Sequence, residues 1–335
     1  LQRLEDAGID VVQTDLEALR DSNPGYSLFW RLFVRPFGNQ PGLSTISNPL
    51  DSGRVSLRSV LSMLNFKANH RKLMVADAAD DYRALVSSAN PHDGSSLHSN
   101  LGIQFSGPAA MELYQIESKL ITFSTGRTLP PLAVKDYAPT KAKIKILTEG
   151  RIREALLREL EQAQDRDQID IAVFYLSERS IIRALKSARQ RGAKVRVLLD
   201  PNKDAFGRKK SGVPNRPVAK ELTEAGIEVR WCATNGEQCH SKWLLSRPRV
   251  GNATLILGSA NFTRRNLNDF NLETNVAYRG SVDDRIIVEA GDLFAQRWNN
   301  EGGEQHSYDY GLLPELSRWY TLKYRFMEFT GMSTF

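Results

Sequence analysis

The chain repeats itself, and the repeat limits what it can fold into. Leu4 to Val11 reads LEDAGIDV and Leu222 to Val229 reads LTEAGIEV. His70-Arg-Lys72 returns as His240-Ser-Lys242, and Ser88-Ala-Asn90 returns as Ser259-Ala-Asn261. A last pair sets SNLGIQFSG (Ser99 to Gly107) against LETNVAYRG (Leu272 to Gly280). Four matches in one order call for two related halves, here residues 1–140 and 141–335. The interval between the first two matches is longer in the first half by about 50 residues. That half therefore carries an insert around residues 13–66.

Local patterning gives each half its layers. LEDAGIDV and LTEAGIEV both read as a helix end, a glycine turn and a short strand. In the second half, periodicity predicts a helix over Ile152–Gln164, a strand over Ile169–Tyr175, a helix over Glu178–Arg191 and a strand over Lys194–Leu199. Alternation of helix and strand with buried runs such as VRVLL and TLILG predicts an α/β fold. Its form would be two pseudo-twofold-related α-β-α sandwich halves in one bilobal unit. The first half has no counterpart of roughly residues 145–218, so the repeat predicts that such a segment once preceded Leu1.

The chemistry-bearing residues sit in the repeat. His70-x-Lys72 is followed by Asp77 and then by Ser87-Ser88-Ala89-Asn90. His240-x-Lys242 is followed by Gly258-Ser259-Ala260-Asn261. Two HxK copies, each followed by SxN after a strand-sized gap, resemble the HxKxxxxD and GSxN motifs of the phospholipase D superfamily. The resemblance covers almost the whole chain. Segments FYLSE, LLDPNKDAFG and GSANFTRRNLNDFNLETNV look most like bacterial phospholipase D and cardiolipin synthase-like enzymes. One departure stands out: the position matching Asp77 is Arg247. In the family that aspartate is usually structural and remote from the phosphate.

If HxK lies on a β-strand, its histidine and lysine share one face. Lys72 and Lys242 would then clamp the oxygens of a phosphodiester, while Asn90 and Asn261, with Ser88 and Ser259, donate hydrogen bonds. The resemblance implies a two-step reaction without metal or other cofactor: one histidine attacks phosphorus and the other protonates the leaving alcohol. Glu273 aligns with Asn100. A carboxylate beside His240 would keep that ring protonated as the acid, and an amide beside His70 would orient a neutral nucleophile. His70 is the expected nucleophile on that reasoning. His92, His98 and His306 are expected in core or surface roles, with His98 at the mouth of the site. Asp200 to Asp204, after a strand end, could shape the rim of the site, with a turn as the default reading. The basic loop Gly207 to Lys210 reads equally well as a phosphate attractor or as a solvated loop.

The superfamily includes phospholipases D, cardiolipin and phosphatidylserine synthases and nucleases, so shared chemistry does not name the substrate. The insert bears on it. Phe29 to Phe37 interleaves aromatic and basic residues, including Trp30 and Phe33, and suits a membrane interface, a packed core segment or a base-stacking surface. A net charge of +6 favours anionic partners, but no extended basic stripe supports nucleic acid. No apolar run reaches the roughly 18 residues that span a bilayer, and no signal peptide is visible. The partners implied are a phospholipid substrate, a water or alcohol acceptor, a peripheral membrane surface and the predicted preceding segment. The resemblance implies a bacterial, membrane-associated protein, periplasmic or secreted. A cardiolipin synthase-type transferase, a nuclease and a non-catalytic lipid-binding module remain the alternatives. Cys232 and Cys239 make neither a disulfide framework nor a zinc pattern. The aromatic tail through Tyr310, Trp319, Tyr320 and Phe335 is expected to pack across both halves.

Overall fold

The computed structural model describes residues 2–330 except 22, 37–45, 48–53, 79–80, 134–135, 138–139, 141, 203, 206–207 and 210. Phe37 and the stretch after it, Gly207, Lys210 and Phe335 lie outside these residues.

α1 (Gln2–Asp6) ends in a turn at Gly8, at a positive φ that glycine takes without a Cβ penalty. The strand expected next does not form among the described residues. Its repeat-mate at Glu228–Cys232 has a paired strand on each side, whereas residues 9–15 have no paired strand among the described residues. In the insert, α2 (Pro24–Phe29) runs into a π-helical turn, Trp30–Val34. A two-residue pair, β1 (Ile46–Ser47) and β2 (Arg54–Val55), follows, and then α3 (Leu57–Met63), whose first turn is capped by Ser56. The first half continues with β3 (Leu73–Ala78), β4 (Asp81–Ser87), α4 (Asp93–Ser96), β5 (Gly102–Ser106) and α5 (Pro108–Thr125).

The second half opens with β6 (Lys143–Thr148), α6 (Gly150–Gln162), β7 (Gln168–Val173), α7 (Arg179–Gln190) and β8 (Lys194–Leu199). All four elements expected between Ile152 and Leu199 are therefore present, within a few residues of their expected bounds. A small hairpin of β9 (Asp204–Ala205) and β10 (Arg208–Lys209) leads to α8 (Asn215–Glu224) and β11 (Glu228–Cys232). Then come β12 (Lys242–Arg247), β13 (Asn252–Gly258), α9 (Arg264–Leu267), β14 (Thr274–Ser281) and α10 (Arg285–Asn299). β15 (Ser307–Asp309) and α11 (Arg318–Thr330) complete the described chain.

The fold is mixed α/β. Eight strands form one sheet in the order β15-β11-β8-β7-β12-β13-β14-β6, and β3-β4-β5 form a separate antiparallel sheet. Within the large sheet β7, β8 and β11 are parallel neighbours, as expected of strands joined by helices. The repeat is realised element for element: β12, β13, α9, β14 and α10 follow the same path as β3, β4, α4, β5 and α5. The two sheets share a core rather than owning one each. Ala84, Val86, Ile103, Phe105 and Leu113 pack with Trp243, Leu245, Leu255, Val276 and Phe294. The other face of the large sheet is covered by α6, α7 and α8 through residues such as Leu156, Leu185 and Leu222.

Arg247 explains the missing second aspartate. It and Arg196 both bind the fully buried Asp170, at 2.7 Å each, while Asp77 at the end of β3 lies exposed. A buried carboxylate is tolerable only when paired, and two guanidinium groups pair this one. Tyr324 and Glu328 seat α11 on the second half: Arg179 donates to the Tyr324 hydroxyl (2.6 Å), and Ser177 Oγ to Glu328 (2.8 Å). The expectation was of a tail packed across both halves, and these contacts are to the second. Cys232 and Cys239 are joined in a disulfide.

Candidate active site

Main-chain pairing between the halves builds the site. Asn69 forms a parallel bridge with Leu272; His70 N donates to Leu272 O (2.9 Å) and Leu272 N to Ala68 O (3.0 Å). On the related side Ser99 N donates to Gln238 O (2.9 Å), and Gln238 N to His98 Nδ1 (3.2 Å). Each HxK segment is thereby stitched to the other half's approach to its third strand. The histidines lie in these extended approaches rather than within strands, because β3 begins at Leu73 and β12 at Lys242.

The stitching crosses the histidines' supports. His70 Nδ1 lies 2.8 Å from Glu273 Oε1, and His240 Nδ1 lies 3.0 Å from Asn100 Oδ1. The sequence expectation had placed Glu273 with His240 and Asn100 with His70, assuming support from within the same half. Glu273 and Asn100 do occupy equivalent places, since Ser259 Oγ donates to Glu273 as Ser88 Oγ donates to Asn100 Oδ1 (3.0 Å). Both serine hydroxyls are thus engaged in positioning these two groups, not in binding a phosphate. Gly258 makes the arrangement sterically possible: a Cβ there would meet Thr274 O at 2.4 Å, beside Glu273.

Hydrogen bonding fixes the tautomers. Asn100 Nδ2 donates to Ser95 O (2.7 Å) and His98 O (3.2 Å), so its Oδ1 is the atom facing His240, and His240 Nδ1 must carry the proton. Glu273 is fully buried and accepts from His70, Ser259 and Asn266. Burial alone would raise its pKa, but His70, Lys72 and the Ser259 hydroxyl outweigh that and hold it below the usual glutamate value. Each ring keeps Nε2 for chemistry.

Both lysines are buried and donate back to the carbonyl of their own histidine, Lys72 to His70 O at 2.6 Å and Lys242 to His240 O. Burial pulls Lys72 down to about 8, partly offset by Glu273. Lys242 falls well below the usual lysine range, from burial first and then from the charge of Lys72. His240 is pushed far below the ordinary histidine value by burial and then by Lys242, Lys72, His70 and His98. The crossed supports at Glu273 and Asn100 bring the two HxK pairs together, and the action of each pair's charges on the other accords with one shared site.

The other predicted residues divide. Asn261 is buried with its Oδ1 unpartnered, and Asn90 is half-buried with its backbone N bonded to Ser95 Oγ (2.9 Å). Asn100 supports His240 instead of facing substrate. Asp77 is exposed, about five residues along β3 from Lys72 and so roughly 16 Å away. Trp30 is buried within the insert beneath Arg58, 5.6 Å from the guanidinium, and packs the insert. Phe33 is exposed on the insert. His92 caps α4 by accepting from Ser95 N (3.2 Å), and the His98 ring lies 5.8 Å from His240.

Sequence reasoning missed three contributors, Phe174, Asn266 and Arg71, and gave a fourth, Asp200, only as a rim or turn residue. Phe174 places its ring 5.2 Å from His240 and 5.4 Å from Lys242 Nζ. Asp200, read as part of a turn, is buried and accepts from Cys239 N (2.8 Å), fixing the residue before His240; burial raises its pKa to about 6. Asn266 holds Glu273. Arg71, the x of the first HxK, binds Glu117 (2.7 Å) and Glu149 (2.6 Å), and Glu149 in turn accepts from Glu273 N (3.1 Å). Only Asp200, at a strand end, carried any sequence signal. Among the described residues no His, Cys, Asp and Glu side chains group as a metal site.

Phosphatidylserine synthase from Haemophilus influenzae Rd KW20 superposes with a TM-score of 0.55 at 13% identity, over 80% of this chain and 70% of that one. Nuc, a phospholipase D family member from Salmonella typhimurium, aligns with a TM-score of 0.39 at 20% identity, over 50% of this chain and 98% of its own. Yeast tyrosyl-DNA phosphodiesterase aligns with a TM-score of 0.41 at 10% identity, over 69% and 73%. Residues 156–298 match the family described as cardiolipin synthase, PLD-like domain. No curated protein matches the chain.

Proposed function

We propose that the chain is a glycerophospholipid phosphodiesterase that also transfers the phosphatidyl group to alcohols, with His70 as nucleophile and His240 as acid and base. The crossed pairing His70–Glu273 and His240–Asn100 around two buried lysines carries the reading. His70 Nε2 attacks phosphorus; the P–N bond forms as the P–O bond to the leaving alcohol breaks, and the imidazole becomes cationic. Glu273 stabilises that cation through Nδ1–H. The roles assigned to the two histidines thus stay as the sequence suggested, for a different reason: the carboxylate serves the ring that gains charge, not the ring that holds a proton.

His240 is neutral in the free site because burial first, and then the charges of Lys242 and Lys72, work against its second proton. A phosphodiester anion seated between Lys72 and Lys242 offsets the lysine charges and adds its own attraction for a cation in the buried site, so His240 Nε2 takes up a proton with substrate and gives it to the departing alkoxide. In the second step His240 takes a proton from water, or from an alcohol, whose oxygen attacks phosphorus as the P–N bond breaks. The lysines supply the positive charge that neutralises the phosphate oxygens.

Two observations support a lipid substrate. One is the match to the family described as cardiolipin synthase, PLD-like domain. The other is the insert helix, which exposes Leu28, Phe29, Leu32 and Phe33. Leucines on such a face suit acyl chains better than nucleobases. The test is turnover of phosphatidylglycerol in EDTA, with and without added ethanol. Phosphatidic acid is the expected product, joined by phosphatidylethanol when ethanol is present; His70→Asn and His240→Asn should each abolish steady-state turnover. Activity confined to oligonucleotides would make the chain a nuclease, and full activity in either variant would remove that histidine from the mechanism.

A further inference from the structure

α11 has two faces with opposite characters. Tyr324 and Glu328 are buried against the second half, while Trp319, Leu322, Phe326 and Phe329 are 69%, 63%, 60% and 83% exposed. At the helical advance of about 100° per residue, the four exposed side chains fall within an arc of about 80°, opposite the buried pair. A scattered exposed leucine needs no explanation, but a stripe of two phenylalanines, a tryptophan and a leucine does. Among the described residues nothing covers it. Arg318, Lys323 and Arg325 flank the stripe, and the only acidic residue of the helix, Glu328, is buried.

A relay of contacts connects the end of α11 to the insert. Arg264 donates to Glu328 O (3.0 Å) and Phe329 O (2.7 Å) at the end of α11 and lies over the Phe270 ring at 5.3 Å. Arg20 lies over the same ring at 4.9 Å, and next to Arg20 is Asp21, which pairs with Arg31 of the insert helix. Phe270 itself lies three residues before Glu273. Two helices with exposed apolar faces are therefore linked through arginines on Phe270, in the chain that leads to Glu273.

We propose that α11 and the insert helix form one docking face for a bilayer containing anionic phospholipid, which brings the catalytic site to the headgroup layer. The inference rests on the lipid reading of that site and extends it to a surface. Apolar rings and leucines would sit at the acyl boundary, and the arginines and lysine at the phosphates and anionic headgroups. The apolar stripes alone would also suit a second copy of the chain, but the flanking cations, facing like charges across such a contact, favour the anionic bilayer.

The experiment is flotation of the full chain with phosphatidylcholine vesicles, with and without phosphatidylglycerol, for wild type, Trp319→Ser/Phe326→Ser and Leu28→Ser/Leu32→Ser. Wild type should bind the anionic vesicles at least tenfold more tightly than phosphatidylcholine alone, and the binding should weaken with salt. Each double variant should lose roughly tenfold or more, on the apolar area it withdraws from the interface. Trp319→Ser/Phe326→Ser should keep its thermal midpoint and its turnover of monomeric short-chain phosphatidylglycerol. Wild-type binding by the α11 variant overturns the proposal, as does a wild-type dimer in sedimentation that this variant converts to monomer. If wild type floats with vesicles but turns over no short-chain lipid, the substrate reading fails and the docking face stands.

Discussion

Changing Glu273 to glutamine isolates one charge. Every contact to this buried carboxylate comes from a donor: His70 Nδ1–H, the Ser259 hydroxyl and Asn266 Nδ2. Glutamine preserves the shape and can still accept from His70, so the imidazole keeps its place and its tautomer, and what disappears is attraction for an imidazolium. With Nδ1 and Oε1 2.8 Å apart, the charge centres lie about 4 Å from one another. At an effective dielectric constant of about 20 that is worth about 4 kcal/mol, or a factor of about 10³ in rate. Glu273→Gln should therefore lower kcat/KM by about 10² to 10³. A rapid-quench assay with a p-nitrophenyl phosphodiester locates the loss. Its leaving group needs no proton, so slowed p-nitrophenol release in the first turnover belongs to attack by His70. A first-turnover rate within tenfold of wild type would refute His70 as the group that becomes cationic.

Three further outcomes follow from the same geometry. Because burial pulls Lys72 to about 8, the free enzyme should lose its protonated phosphate clamp as pH rises, so kcat/KM should fall above about pH 8; in Glu273→Gln, with the nearby anion gone, that limb should move to lower pH. Asp170→Asn should strand Arg196 and Arg247 and cost about 3–5 kcal/mol in urea unfolding, leaving turnover per folded molecule unchanged. Glu328 is raised by burial to about 7, above its unfolded value, so its contribution to stability is complete at acid pH and lost as pH rises through 7; thermal melts should show a decline of up to about 3 kcal/mol between roughly pH 4.5 and 8, flattened in Glu328→Gln.

The residues that sequence read well are those that depend on local pattern. The helices and strands from Gly150 to Leu199 follow from periodicity, and the matching order of β3-β4-β5 and β12-β13-β14 follows from the repeat. What sequence could not show is contact between the halves. Nothing in LETNV says that Glu273 meets a histidine 203 residues away rather than the one in its own half. That choice is made by two main-chain pairings, Ala68 and His70 with Leu272 and Gln238 with Ser99, which form only when the halves dock. The same limit explains Ser88 and Ser259, whose hydroxyls turn to Asn100 and Glu273 instead of substrate. It also explains Trp30, where an aromatic among arginines reads as an interface and is in fact the buried side of a helix whose neighbours Leu28, Phe29, Leu32 and Phe33 face outward.

A duplicated scaffold tends to make its two histidines equivalent, yet a nucleophile and an acid need opposite properties. Here one position breaks the symmetry. Glu273 behind His70 favours a cationic ring, while Asn100 behind His240 offers no charge and accepts only the Nδ1 proton. The lysines widen the gap, since Lys242 is the more deeply buried of the two and heads the charges acting against protonation of His240. A ring that binds its second proton weakly is a strong acid once a substrate anion has brought that proton in, which suits protonation of a poor alkoxide leaving group. The same ring, once neutral, is the base for the water or alcohol that follows. Since each half holds the other's histidine in place, neither half can complete such a site by itself, and the division of labour exists only across their shared core.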